Sequence, residues 1–182
     1  MTTANIITLV RIAMIPVFLI FGTMGQEYAL ISAIIFTVAS LTDSLDGYIA
    51  RKYNQITDFG KLVDPLADKL LVLSALLIFV ENGIMPVWVA TVIIGREFAI
   101  SGLRMIAASK GIVIAAGKSG KVKTFVQCLM TILLLVLGTK VVALTSWLSL
   151  QNLAVYLMVI VAVYSGVEYF VVNGKIFKGS LK

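Results

Sequence analysis

Asp43, Asp46, Asp64 and Asp68 are the residues of this sequence best placed to do chemistry. All five aspartates of the chain lie between positions 43 and 68, Asp58 being the fifth. Asp43 and Asp46 are three apart, and Asp64 and Asp68 four apart, so on helices each pair shares one face. Carboxylates gathered in this way repel one another unless a cation neutralises them. Hard divalent cations take oxygen ligands, and magnesium is commonly held by few carboxylates together with substrate phosphates. The alternative is a solvated helix cap, with the aspartates paired to Arg51, Lys52, Lys61 and Lys69. Capping does not require two face-matched pairs. The chain has no histidine, which removes the commonest general base and metal ligand. Its single cysteine, Cys128, sits in an apolar run and can form no internal disulfide. A proton to be abstracted would therefore fall to a carboxylate.

The elements that carry these residues follow from composition. Of 182 residues, 60% are hydrophobic and 13% charged, with mean hydropathy +1.04 and net charge +6. A soluble domain carries roughly a quarter charged residues. Water-soluble globules, disordered tails and nucleic-acid binders are excluded despite the basic balance. A spanning helix needs ~20 mostly apolar residues. Such stretches run at about 6–23, 28–50, 61–82, 86–108, 122–144 and 150–173. The expected architecture is an all-α membrane protein, a six-transmembrane-helix bundle forming a single domain over 1–182. The first stretch lacks a basic n-region and an evident small-residue cleavage site, so it reads as a retained helix.

Short turns are expected at Gly25, at Gly83 with Pro86, and at Thr145-Ser146, with longer links at 51–60 and 109–121. Arg51, Lys52 and Lys61, then Lys110, Lys118, Lys121 and Lys123, then Lys175, Lys178 and Lys182 all fall on one side; the opposite turns hold only Lys140. This asymmetry places both termini and the long links in the cytoplasm and the bundle in the cell membrane. The aspartates then lie at the cytoplasmic side, where helix 2 ends and helix 3 begins. A carboxylate in hydrocarbon costs about 2.5–3.5 kcal/mol at the bilayer centre and less towards its edge. A polar cavity at the cytoplasmic side is the expected way to house four of them.

Gly47, Ala50 and Gly60 lie near the aspartates, where small residues let backbone or ligand approach closely. Arg51 adds a fixed cation able to bind phosphate oxygens in bidentate fashion. Pro65 removes a backbone hydrogen bond near the start of helix 3. Together these residues spell Asp43-x2-Asp46-Gly47-x2-Ala50-Arg51-x8-Gly60-x3-Asp64-x3-Asp68. The pattern resembles the signature of the CDP-alcohol phosphotransferase family, with no position missing. That resemblance implies transfer of a phosphoalcohol group from a CDP-linked donor to an acceptor hydroxyl, release of CMP, and dependence on Mg2+ or Mn2+. It implies that Asp43, Asp46, Asp64 and Asp68 form the metal site, with Asp68 also the candidate general base. It further implies a donor site lined by Gly47, Ala50, Arg51 and Gly60, and a homodimer. Asn5, Thr8 and Arg11 form an Asn-x2-Thr-x2-Arg stripe that resembles the family's helix 1 face. Read alone, the stripe fits a ligand face and interfacial anchoring equally.

The acceptor is addressed by residues 93–127. Arg96 and Glu97 fall deep in an apolar span, where ionisable groups usually face an interior cavity and find partners. Arg104 lies eight residues beyond Arg96, about two turns on and so on roughly the same face. Lys110 and Lys118 read as loop lysines attracted to anionic lipid. Arg96, Arg104, Lys121 and Lys123 read as an anion pocket facing the aspartates, suited to an acceptor that already carries a phosphate. Spacing alone reaches no further than a phosphorylated acceptor. The Arg-Glu…Leu-Arg segment and the Gly-Lys-x-Lys-Thr-x2-Gln run from Gly120 to Gln127 are similar to the bacterial phosphatidylglycerolphosphate synthases. That similarity implies CDP-diacylglycerol as donor, sn-glycerol 3-phosphate as acceptor, and a lateral opening from the inner leaflet near Asp43 and Asp46. Phosphatidylinositol-phosphate, phosphatidylserine and cardiolipin synthases are the alternatives within the family. A divalent-cation transporter is the alternative outside it, disfavoured because transporters place ionisable groups near the midplane across two repeats.

Overall fold

A computed structural model of the chain describes residues 3–52, 58–112, 114, 117–138 and 147–174, with side chains excepted at 3–4, 43–52, 58–62, 64–65 and 147–149. Within these residues it is all-helical. The helices are α1 (Thr3–Thr23), α2 (Ala29–Lys52), α3 (Asp58–Glu81), α4 (Val87–Ser109), α5 (Lys118–Leu137) and α6 (Trp147–Asn173), with a 3-10 turn at Gln26–Tyr28 before α2. The expected turn at Thr145-Ser146, Lys140, and the terminal lysines Lys175, Lys178 and Lys182 lie outside the described residues.

Each helix buries one stripe and exposes the rest. On α1 the stripe is Asn5, Thr8, Arg11, Ile15, Phe18 and Gly22, spaced three or four apart as a helix face requires. Its other faces expose Ile6, Val10, Val17 and Ile20. The same arrangement recurs on α6, with Ala154, Met158, Ala162 and Ser165 inward and Ile160, Tyr164, Val167 and Val171 outward. So many large apolar side chains turned outward suit lipid rather than water. Among the described residues three helical segments are long and apolar enough to cross a membrane: Asn5–Thr23, Lys118–Leu137 and Leu150–Asn173. In α3 and α4 charged residues such as Asp68, Lys69, Arg96 and Glu97 dilute the hydropathy, although these four side chains face wholly or partly inward.

α1 packs against α2 and α3, α2 against α5, and α6 against α4 and α5. The apolar core joins Phe18, Phe36, Leu76, Phe79, Met85 and Leu134 among others. Phe18 and Phe36 meet with ring centroids 5.6 Å apart at 50°. Between lipid-embedded helices such fit matters more than dehydration, because lipid tails are as apolar as leucine. Gly22 shows how closely α1 approaches α3: a Cβ there would lie 2.4 Å from Ile78 Cδ1.

The connections follow from backbone chemistry. α3 ends with Gly83 at φ 69, its N–H donating to Val80 O and that of Ile84 to Phe79 O at 2.8 Å. α4 ends in the same way at Gly111, whose N–H donates to Ala108 O while that of Ile112 donates to Ala107 O. Both are the paired closure in which a left-handed residue satisfies the last helical carbonyls, a conformation glycine adopts without strain. One expectation differs in detail. Lys118, Lys121 and Lys123, read as lying before helix 5, occupy the first two turns of α5, and Gly120 lies within the helix. Lysine is a good helix former, so the helix extends past the apolar stretch that hydropathy detects.

Candidate active site

α2 carries positions 43 and 46 near its end, and α3 carries 64 and 68 near its start. The side chains of Asp43, Asp46, Gly47, Ala50, Arg51, Gly60 and Asp64 lie outside the described residues; Asp68 is described and half-buried. Carboxylate oxygens are donors of the kind a hard divalent cation takes, and of the four aspartates Asp68 is the one whose side chain is among the described residues.

The surroundings of Asp68 are well defined. Arg11, Lys69, Glu97 and Lys123 all lie within electrostatic range of its carboxylate. Arg11 is fully buried, and Thr8 and Asn5, about one and two turns nearer the start of α1, are buried with it. The Asn5-Thr8-Arg11 stripe is thus turned into the bundle. Lys69 donates to Ser101 Oγ, which in turn donates to the Glu97 carbonyl at 2.8 Å. This relay ties the residue next to Asp68 to α4.

Glu97 organises the cations. Its Oε1 accepts from Arg96 Nη1 at 2.8 Å and also pairs with Lys123 Nζ. Lys123 is only 5% exposed, so its charge is held by that carboxylate rather than by water. Arg96 donates its other branch to Ser165 Oγ on α6 at 2.9 Å. Gly166 makes room for this: a Cβ there would lie 3.1 Å from Arg96 Cγ. Two turns along α4, Arg104 donates to the Tyr169 hydroxyl at 3.1 Å, with its guanidinium 5.5 Å from the ring centroid. Ser165 and Tyr169 are four apart on α6, so Arg96 and Arg104 share one face of α4 as their spacing predicts.

Among the described residues this cluster holds the cations Arg11, Lys69, Arg96 and Lys123 against the carboxylates Asp68 and Glu97. A phosphate entering beside Lys123 and Arg96 would meet positive charge already fixed by Glu97. Lys121 is exposed and lies two residues from Lys123, about 200° around α5, so the structure does not bring it into the cluster. Arg104 is exposed at the rim; Lys110 and Lys118 are exposed as well. Sequence reasoning singled out Glu97 without giving it a role and missed Ser101, Ser165 and Tyr169. The signal available was a Ser-x3-Tyr pair in the second half of a largely apolar α6.

A cavity of about 260 Å³ opens at the other end of the bundle, where α1, α3 and α5 finish. Ser32, Asn82 and Gln151 supply hydrogen-bonding groups there, and among the described residues its lining includes no ionisable side chain.

The chain matches the CDP-alcohol phosphatidyltransferase family over residues 1–171. It is 44% identical over 189 aligned positions to a CDP-diacylglycerol–glycerol-3-phosphate 3-phosphatidyltransferase of Bacillus subtilis, covering 97% of each chain. A protein of the same name from Rickettsia bellii is 40% identical over 137 positions, covering 75% of each chain. A probable phosphatidylglycerophosphate synthase of Mycobacterium tuberculosis is 44% identical over 128 positions, covering 68% of this chain and 61% of that one. A complete aspartate signature, a half-buried carboxylate ringed by fixed cations, and a family match along nearly the whole sequence agree: this chain belongs to the CDP-alcohol phosphatidyltransferase family.

Proposed function

We propose that this transferase moves the phosphatidyl group of CDP-diacylglycerol to sn-glycerol 3-phosphate, giving phosphatidylglycerol phosphate and CMP. The observation that carries the acceptor assignment is Glu97 gathering Arg96 and Lys123 within range of Asp68. An acceptor needs its hydroxyl at a base and, if phosphorylated, its phosphate at cations; these two requirements meet there. The printed names of the relatives support the same pair of substrates.

In this reading Asp68 accepts the proton of the acceptor hydroxyl as its oxygen forms a bond to the donor's β-phosphorus. The bond from that phosphorus to the bridging oxygen breaks, and CMP leaves with the bridging oxygen. Arg96 and Lys123 hold the acceptor phosphate, with Arg104 available nearer the rim, so its dianion does not drift towards the carboxylates. Asn5, Thr8, Arg11, Gly47, Ala50, Arg51 and Gly60 serve the donor. Asp43, Asp46, Asp64 and Asp68 would hold two Mg2+ or Mn2+ ions, which when bound screen the diphosphate charge and polarise the attacked phosphorus.

The bundle spans the cell membrane six times with both termini in the cytoplasm, and a polar cavity around the aspartates, distinct from that at the other end, opens to the inner face and sideways to lipid. The ten-to-one distribution of lysine and arginine supports that orientation. A homodimer is part of the proposal on family resemblance alone.

The test is a transfer assay on purified enzyme with labelled CDP-diacylglycerol, Mg2+ or Mn2+, and competing acceptors. Glycerol 3-phosphate should be incorporated, with CMP released in equal amount. Incorporation of serine, inositol phosphate or phosphatidylglycerol with none of glycerol 3-phosphate would overturn the acceptor. Metal flux into liposomes without CMP release would overturn the enzymatic reading itself.

A further inference from the structure

Lys123, Gln127 and Thr131 lie four residues apart on one face of α5, all nearly or wholly buried. Lys123 has a partner in Glu97. Gln127 differs: it is 4% exposed, and neither its Nε2 nor its Oε1 has a hydrogen-bond partner among the described residues. An amide buried without partners carries the full desolvation penalty of both groups. A glutamine kept in that state at a site that handles a polyol phosphate is explained if the missing partner is the ligand.

Its position fits. Lys123, one turn before Gln127 on the same face of α5, lies within electrostatic range of Asp68. The next residue after Gln127, Cys128, hydrogen-bonds Ser40 and also lies within electrostatic range of Asp68. Gln127 therefore stands one turn along α5 from Lys123 and beside a residue within range of the base. In glycerol 3-phosphate the group between the phosphate and the reacting C1 hydroxyl is the C2 hydroxyl, which both donates and accepts. A neutral amide offers an acceptor and a donor to match.

We propose that Gln127 reads the C2 hydroxyl of the acceptor, making it a specificity-determining residue of the acceptor site. The inference rests on the glycerol 3-phosphate reading given above. Once the acceptor is bound, Oε1 accepts a hydrogen bond from the C2 hydroxyl and Nε2 donates one to the hydroxyl oxygen, which settles the acceptor with C1 towards Asp68. An acceptor without that hydroxyl leaves the amide unpaired, and a site built to pair a hydroxyl discriminates strongly against such an analogue.

The experiment compares kcat/KM for glycerol 3-phosphate with that for 1,3-propanediol monophosphate, which keeps the phosphate and a primary hydroxyl but lacks the C2 hydroxyl. Both are assayed on the wild-type enzyme and on Gln127→Met, a substitution of similar length and shape. The wild type should prefer glycerol 3-phosphate, and Gln127→Met should reduce that preference by roughly tenfold or more. A preference unchanged in Gln127→Met, or both acceptors impaired equally, means that Gln127 only packs, and the inference falls. Should Gln127→Met not fold, Gln127→Glu, which keeps an acceptor and loses the donor, is measured in its place against the same criterion. A wild type that uses neither acceptor would instead overturn the proposed reaction, a result distinct from a wild type that uses both without distinction.

Discussion

The two ends of this bundle differ, among the described residues, in where charged side chains are buried. Where α1 and α5 begin, the interior holds Asn5, Thr8, Arg11, Lys123 and Gln127, with Asp68 and Glu97 half-buried among them. Towards the end where α1 finishes, it holds Phe18, Phe36, Phe79 and Met85. Both regions are well covered by protein, yet they contribute differently. The apolar end gains van der Waals contact from shape, as in the 5.6 Å meeting of Phe18 and Phe36. At the polar end desolvated charges oppose folding unless paired, and Glu97 offsets part of that by serving Arg96 and Lys123 together. Burial by itself therefore does not identify a core; what is buried, and whether it is satisfied, separates scaffold from site.

The sharpest way to break this contrast is Asp68→Asn, which keeps size and removes the base. Turnover should fall by about 10²–10⁴-fold while donor binding, followed by retention of labelled CDP-diacylglycerol, stays largely intact. Near-normal turnover would remove Asp68 from the chemistry. Phe36→Ala addresses the opposite end. Thermal unfolding in detergent should show a loss of about 3 kcal/mol, the low end for a buried phenylalanine because lipid replaces water as the reference. The acceptor KM of the surviving enzyme should be unchanged; a change would mean that the two ends are coupled. The smallest expected effect is that of Glu97→Gln, at about 1.5–3 kcal/mol of stability for weakened charged hydrogen bonds. Its distinguishing mark is a raised KM for glycerol 3-phosphate with the donor KM unaffected, because Arg96 and Lys123 lose the carboxylate that places them. A stability loss with both KM values unmoved would confine Glu97 to the scaffold.

Local pattern made much of this legible in advance. The helices α1 and α6 are apolar on nearly every face, and their cores coincide with the expected stretches at 6–23 and 150–173. The start of α5 was less visible, because hydropathy assigns Lys118, Lys121 and Lys123 to a loop although lysine extends a helix readily. Arg96 and Arg104 could be placed on one face by counting residues, since helical geometry is local. Their partners Ser165 and Tyr169 could not, because they lie 69 and 65 residues further along the chain.

The sequence alone determined that this chain is helical and lipid-adapted, and that its carboxylates gather at one junction, since composition, periodicity and short-range spacing are all written within a few residues. Only the tertiary structure decided that Glu97 would join Arg96 to Lys123, that Lys121 would stay outside, and that Gln127 would be buried with its amide unspent. Those outcomes depend on which faces of α3, α4, α5 and α6 meet, and packing between distant segments is a property of the assembled bundle rather than of any one stretch of chain.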